Sequence, residues 1–188
     1  MPGAAQGLDF EVVPAASVDA EAVAALVNAA FRRYPVMGGD RTTPAGLLEE
    51  AGPDGEFILA RRGGRLVGSA LVRPAAGHAL EEEALGGLVD LRTSLYFGLA
   101  AVDPMEMNTG IGRALIAFAE DLARERGYAR IVLGTVREFG LVEYYTRLGY
   151  VPMAMQAYPA GHWEITVDHH HYHLVNEIAA SAAGEQQA

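Results

Sequence analysis

Two stretches of the chain carry residue types whose spacing could do chemistry. The first is Ser94 to Arg126, SLYFGLAAVDPMEMNTGIGRALIAFAEDLARER, in which Gly110 and Gly112 stand between an apolar run and a long helical pattern. Glycines there let a ligand approach the backbone, the first helical turn leaves N–H groups unpaired, and the helix dipole favours negative charge. That is the physical recipe for a phosphate site. Two nucleotide readings do not fit it. A dinucleotide fingerprint requires a third glycine where Leu115 stands, and a P-loop requires a Gly-Lys-Ser/Thr triplet that the chain lacks. The second stretch is His169-His170-His171-Tyr172-His173. On a strand, His169, His171 and His173 share one face, and three imidazoles at period two could bind zinc in principle. A polar strand face near a cleft or solvent is the simpler reading, and no metal is expected.

The elements that must position these residues are legible in order. Leu8 to Val13 predicts a strand ended by Pro14, and Ser17 or Asp19 caps a helix running to about Arg33, broken by Pro35 and Gly38-Gly39. A second helix starts at Thr43-Pro44 and closes at Gly52-Pro53. Phe57 to Ala60 and Leu66 to Val72 flank Gly63-Gly64, a pair suited to a tight hairpin turn. Pro74 to Gly87, with Glu81-Glu82-Glu83, reads as a solvated loop or short helix, or as an acidic lip beside a cleft. Leu95 to Val102 is apolar enough for a strand buried on both faces, and Asp103-Pro104 stops it. Ile111, Leu115, Phe118 and Leu122 form one helical stripe, closed at Gly127. Ile131 to Val136 predicts a buried strand and Leu141 to Leu148 a brief helix. Strands follow near Tyr150 to Ala157 and His170 to Val175.

The glycine segment, Val102-x-Pro104 and then Met107-x-x-Gly110-x-Gly112-Arg113-Ala114-Leu115, resembles the acetyl-coenzyme A (acetyl-CoA) loop of the GCN5-related N-acetyltransferase (GNAT) superfamily. That loop is written Gln/Arg-x-x-Gly-x-Gly/Ala, so Met107 departs from it. Tyr144-Tyr145-Thr146-Arg147-Leu148-Gly149-Tyr150 resembles the family's second signature, Phe-Tyr-x-x-x-Gly-Phe, while Glu138 and Leu141 replace its frequent upstream Asn and Ala. The order β-α-α-β-β, then β-α-β-α-β-β, is similar to the family over nearly the whole chain. The resemblance implies one mixed α/β (α+β) domain over residues 8–178, with 1–7 and 179–188 as frayed tails. Its central sheet would have about seven mostly antiparallel strands, splayed at the acetyl-CoA cleft, with about four helices.

The resemblance further implies acetyl transfer to a primary amine of a small molecule or peptide, by direct attack in a ternary complex. Met107, Asn108, Thr109, Gly110, Ile111, Gly112 and Arg113 would cradle the pyrophosphate. Ala100, Ala101 and Val102 would pair with the pantetheine arm like an extra strand, and backbone N–H groups of Leu99 to Ala101 would receive the oxyanion. Tyr145, whose ordinary phenol pKa is about 10, would protonate the departing thiolate. The sequence does not identify a base for the amine; Glu138, Glu164, Asp90 and the histidines remain candidates. A non-catalytic CoA or acyl-CoA sensor of the same fold is the alternative, and another acyl donor stays open.

Composition bounds the partners. The chain has 188 residues, 51% of them hydrophobic, which suffices for one substantial core. It has 14 basic and 24 acidic side chains and a net charge of −10, against nucleic acid or an anionic membrane as partner. It has no cysteine, which excludes disulfides and thiolate chemistry. No secretory signal or bilayer-spanning run is read, so a cytoplasmic location is expected. The oligomeric state stays open, a homodimer included.

Overall fold

The computed structural model describes residues 7–178; of the expected frayed ends 1–7 and 179–188, all but Gly7 lie outside them, and Gly7 is a turn residue before the first strand. Seven strands form one sheet in the order β1-β2-β3-β4-β5-β7-β6. They are β1 (Leu8–Pro14), β2 (Glu56–Arg62), β3 (Arg65–Pro74), β4 (Ser94–Val102), β5 (Arg130–Val136), β6 (Val151–Tyr158) and β7 (His169–Glu177). Every pairing is antiparallel except β4 with β5. The helices are α1 (Ala20–Phe31), α2 (Pro44–Ala51), α3 (Ala79–Leu85), α4 (Ile111–Glu125) and α5 (Val142–Arg147).

Local chemistry explains most boundaries. Asp19 caps α1 by accepting from the Ala22 N–H at 3.1 Å, and Thr43 caps α2 through Gly46 N–H at 3.0 Å, with Pro44 in the first turn. Gly63 and Gly64 have φ of +57° and +81°, as a tight hairpin turn between β2 and β3 requires. The sheet buries both faces. Val23, Val27 and Leu47 cover one with Phe57, Leu71 and Val132; Ile111, Leu115, Ile116 and Ala119 of α4 cover the other with Ile58, Val72 and Leu133. The buried face of α4 thus turns from the predicted stripe toward Ile116, Ala119 and Ala123, leaving Phe118 and Leu122 only partly buried.

The fifth helix is α3, inside the segment read as a loop or short helix. Its acidic run does not form a common lip. Glu82 and Glu83 are exposed, but Glu81 is wholly buried and paired with Arg73 of β3 at 3.1 Å.

Candidate active site

The pairing of β4 with β5 covers only Ser94–Phe97 against Arg130–Leu133. Beyond Phe97 the two strands part, so Gly98, Ala101 and Val102 pair with β3 alone and, among the described residues, their other edge has no strand beside it. The parting coincides with a bulge. The register against β3 slips between Ser69 and Leu71, and Leu99 takes φ of +46°, a conformation disfavoured for a residue with Cβ. A bulge takes backbone groups out of the ladder, which makes them available at the point where the sheet opens.

Two cavities meet at that opening. The first, of about 720 Å³, runs from Ala100 and Val102 along the glycine turn to α5. The second, of about 430 Å³, lies on the other side of Ala100 and is lined by aromatic and charged side chains. Phe31, Tyr34, Ala100, Leu141 and Tyr145 line both.

The glycine turn works in the first cavity by a division of labour. Gly110 has φ of +87°, so it is glycine for conformation. Gly112 has ordinary φ, and a Cβ added there would meet only Val102 at 3.8 Å, so it is glycine for access. The first interior α4 bond is from Ala114 N–H to Gly110 at 3.0 Å; among the described residues the N–H groups of Ile111, Gly112 and Arg113 have no acceptor. Arg33, Arg113 and Arg147 line the same cavity without a carboxylate partner among the described residues. The lining carboxylate, Glu106, is already bound by Arg62 and by Arg65, the latter at 2.6 Å. The cavity is therefore cationic in an acidic protein and suits a polyanion.

Of the residues expected at this turn, Met107, Asn108, Gly110, Ile111, Gly112 and Arg113 line the cavity, as do Ala100 and Val102. Thr109 and Ala101 do not. The Thr109 hydroxyl donates to Glu106 C=O at 2.6 Å and holds the turn closed, while the Ala101 side chain packs into the α1-side core.

A protein-family model for the acetyltransferase (GNAT) family matches residues 23–150, more than half of the chain. The chain belongs to that family. Solved GNAT-fold structures overlay nearly all of it. The ribosomal-protein-S18-alanine N-acetyltransferase from Escherichia coli is 18% identical, with TM-score 0.65, over 96% of this chain and 99% of that one. A ribosomal-protein-alanine N-acetyltransferase from Brucella melitensis is 18% identical with TM-score 0.65, covering 90% of this chain and 99% of that chain. The Salmonella typhimurium yncA structure, solved with its cofactor acetyl-CoA, is 16% identical with TM-score 0.62, covering 97% of this chain and 100% of that one. At such identities these neighbours show the fold. A comparison with curated proteins gives no match.

Within this GNAT domain, Tyr145 stands on α5, 7% exposed, between the two cavities. Burial, with Tyr34 and Tyr144 nearby, pushes its phenol well above the ordinary range, so it stays protonated. Tyr150, the aromatic closing the second signature, points elsewhere. Its hydroxyl donates to Glu120 of α4 at 3.1 Å, and Asn176 of β7 donates to the same oxygen at 3.2 Å. It is a tie between helix and sheet.

The base candidates separate by position. Glu164 and Asp90 line neither cavity, and Asp90 is engaged by Arg92 at 3.1 Å. Glu138 also lines neither. Burial works against its charge, but the His170 N–H and ring, each at 3.1 Å, hold its pKa at about 2. Of the candidates, His78 and His171 line the second cavity.

His169, His171 and His173 do share a face, but it is turned inward, 0–7% exposed, rather than to solvent. Tertiary packing decides this: β7 lies between β5 and β6, and the His171 ring sits over Gly134, where a Cβ would come within 2.5 Å of its Nε2. Burial and neighbouring His173 and Arg41 bring the pKa of His171 to about 3, and burial brings His173 to about 4. Both are neutral at pH 7. Gln156 Oε1 accepts from the Tyr158 hydroxyl and lies 3.1 Å from His173 Nε2, which is 3.2 Å from His171 Nδ1. With the His173 proton on Nε2, His171 Nδ1 is an acceptor and its own proton sits on Nε2. Among the described residues no group of three or more His, Asp or Glu side chains is arranged to hold a metal ion.

Sequence reasoning missed Arg33 and Tyr34 as cavity residues, and for Trp163 it favoured a core anchor over a cavity wall. Arg33 and Tyr34 lie past the end of α1, remote in sequence from both signatures, and no spacing rule links them. Trp163 was noticeable as the only tryptophan, but its sequence does not separate a cavity wall from a core anchor.

Proposed function

We propose that the chain is an acetyl-CoA-dependent N-acetyltransferase that acts on a primary amine by direct attack within a ternary complex. The observation that carries this reading is the meeting of two cavities at Ala100 and Tyr145, where β4 parts from β5. The cationic first cavity fits the phosphates of CoA, with the unpaired N–H groups at the start of α4 on the pyrophosphate. The bare edge of Gly98 to Val102 offers the amide-rich pantetheine arm a strand to pair with. The thioester then reaches the junction, and the amine enters from the second cavity.

The amine nitrogen attacks the thioester carbonyl carbon, the C–S bond breaks, and an amide and a thiolate result. Backbone donors freed by the bulge at Leu99 receive the oxyanion, the Tyr145 hydroxyl gives its proton to the thiolate, and the second proton of the attacking nitrogen passes through water to restore the phenol. The amine must first lose a proton. Glu138 is committed to His170 and lines neither cavity, which leaves water and the neutral imidazoles of His78 and His171, both lining the second cavity, to take that proton. A non-catalytic CoA sensor would use the first cavity and leave the second without a purpose.

The test is release of free thiol from acetyl-CoA with a panel of primary amines, against an amine-free control. Release above hydrolysis is expected. Its absence with every amine, in protein that binds acetyl-CoA by calorimetry, would leave the sensor reading.

A further inference from the structure

Resting on that reading, we infer that the acceptor is a small arylalkylamine, a primary alkyl amine carrying an aromatic ring, bound as its cation, and not a peptide. Three features of the second cavity converge on this.

The first is ring surface. Phe31, Tyr34, Phe139 and Trp163 line the cavity and are each only part-buried, so ring area remains for a ligand. Tyr34 stacks on Phe139 at 4.2 Å between centroids, and Phe31 meets Phe139 edge-on at 5.7 Å, which fixes one wall. Trp163 forms another wall, 5.0 Å from the His171 ring. Trp163 and Glu164 have φ of +52° and +58°, strained for residues with Cβ. Such strain persists where the surroundings impose it, and it clusters at ligand-binding walls. Aromatic walls take a flat ring by stacking or edge contact, and a cation by its charge.

The second is charge. Four of the five lining Arg, Asp and Glu side chains cancel in pairs: Arg73 with Glu81 and Arg41 with Glu50, each at 3.1 Å. Glu49 is exposed at the mouth and has no ion-pair partner among the described residues. The cavity therefore has one uncompensated negative charge to meet an ammonium group as it enters. His78 and His171, both shifted down mainly by burial, add no positive charge at pH 7.

The third is size. The loop from β6 to β7 is tied to the loop after α1: Gly38 N–H donates to Glu164 C=O at 2.7 Å, and Thr166 N–H to Val36 C=O at 2.8 Å. Met37 and Ile165 form a bridge between them. This strap sets Trp163 and Ile165 in the wall of a half-open cavity of about 430 Å³, within the size of small-molecule sites.

The experiment compares kcat/KM by thiol release for 2-phenylethylamine, n-hexylamine and a short peptide with a free N-terminal alanine. Phenylethylamine should exceed hexylamine by about tenfold, from ring contacts alone, and the peptide by more. Trp163→Leu should raise KM for phenylethylamine far more than for hexylamine. Glu49→Gln should raise it about threefold for both cations, as an exposed charge does. Equal or better turnover of the peptide or of hexylamine by the unaltered protein would overturn the acceptor class and leave acyl transfer standing. No thiol release with any amine, despite acetyl-CoA binding, would overturn acyl transfer as well. The ranking by unaltered protein decides the matter even if Trp163→Leu does not fold.

Discussion

Arg33 changes the meaning of Met107. Its Nη1 lies 3.6 Å from the Met107 sulfur, and its guanidinium is 4.7 Å from the Tyr34 ring centroid, so a cation already stands where the family pattern has Gln or Arg. Met107→Arg would bring a second guanidinium against the first. Acetyl-CoA affinity measured by calorimetry should therefore not improve, whereas Arg33→Ala should weaken it and reduce its salt dependence. Tyr145 carries the other prediction at this scale. Tyr145→Phe removes one hydroxyl and leaves the packing, so kcat should fall, toward the lower end of about a hundred- to ten-thousand-fold, with acetyl-CoA dissociation nearly unchanged. Unaltered turnover with chemistry rate-limiting would mean that the thiolate takes its proton from water and that Tyr145 is a packing residue.

Within elements, the two glycines of the turn predict opposite outcomes. Gly110→Ala forces a Cβ into the left-handed region at about 1–2 kcal/mol and should lower the melting temperature. Gly112→Ala should leave it unchanged, since the Cβ has room, while Gly112→Asp should fold yet lose acetyl-CoA affinity through charge repulsion. Calorimetry beside thermal melts separates the two. In α3 and β3, Glu81 and Arg73 are a buried pair, with Arg73 also 4.0 Å over the Tyr96 ring. Glu81→Ala would leave Arg73 buried and uncompensated, a loss of about 3–5 kcal/mol read as a lower denaturation midpoint. The neighbouring Glu83→Ala, on an exposed side chain, should change little.

For the molecule as a whole, the charge map and the buried histidines set its response to solution conditions. The net charge of −10 surrounds a cleft lined by three arginines without carboxylate partners among the described residues, so the proposed acetyl-CoA site is a local reversal of the overall sign. His171 and His173 titrate at about 3 and 4 in the folded chain, against 6.5 for an ordinary histidine. Below pH 6.5 the unfolded chain binds protons that the folded chain refuses, so stability falls as pH drops from about 6.5 toward 4. His173 alone accounts for about 2–3 kcal/mol of that fall by pH 4.5. Glu138, held at about 2, adds its own loss only below about pH 4.5. Melting temperatures across this range should show the first loss, and His173→Gln should reduce it by about half between pH 6.5 and 4.5, the rest belonging to His171. Chelator should leave the melting temperature unchanged, and elemental analysis should find no stoichiometric metal; about one zinc per chain, lost with His171→Ala, would overturn that.

What the sequence determines by itself is what depends on neighbours along the chain. Gly63-Gly64 sets the hairpin, Asp19 and Thr43 set helix starts, and Gly110 sets the turn before α4, because caps and positive φ are local properties. The two signatures, Met107 to Leu115 and Tyr144 to Tyr150, carry the family, and the seven strands could be ordered in sequence from hydrophobic runs and breakers. Tertiary structure decides what depends on neighbours in space. Burial of Glu81 beside exposed Glu82 and Glu83 follows from where Arg73 of β3 lies. The inward face of the histidines follows from β7 lying between β5 and β6. The cleft itself exists because β4 pairs with β5 for only four residues, a register fact with no mark in either strand's composition. Arg33 reaches Met107 across 74 residues, a separation at which chain position places no constraint on contact until the sheet and helices have packed.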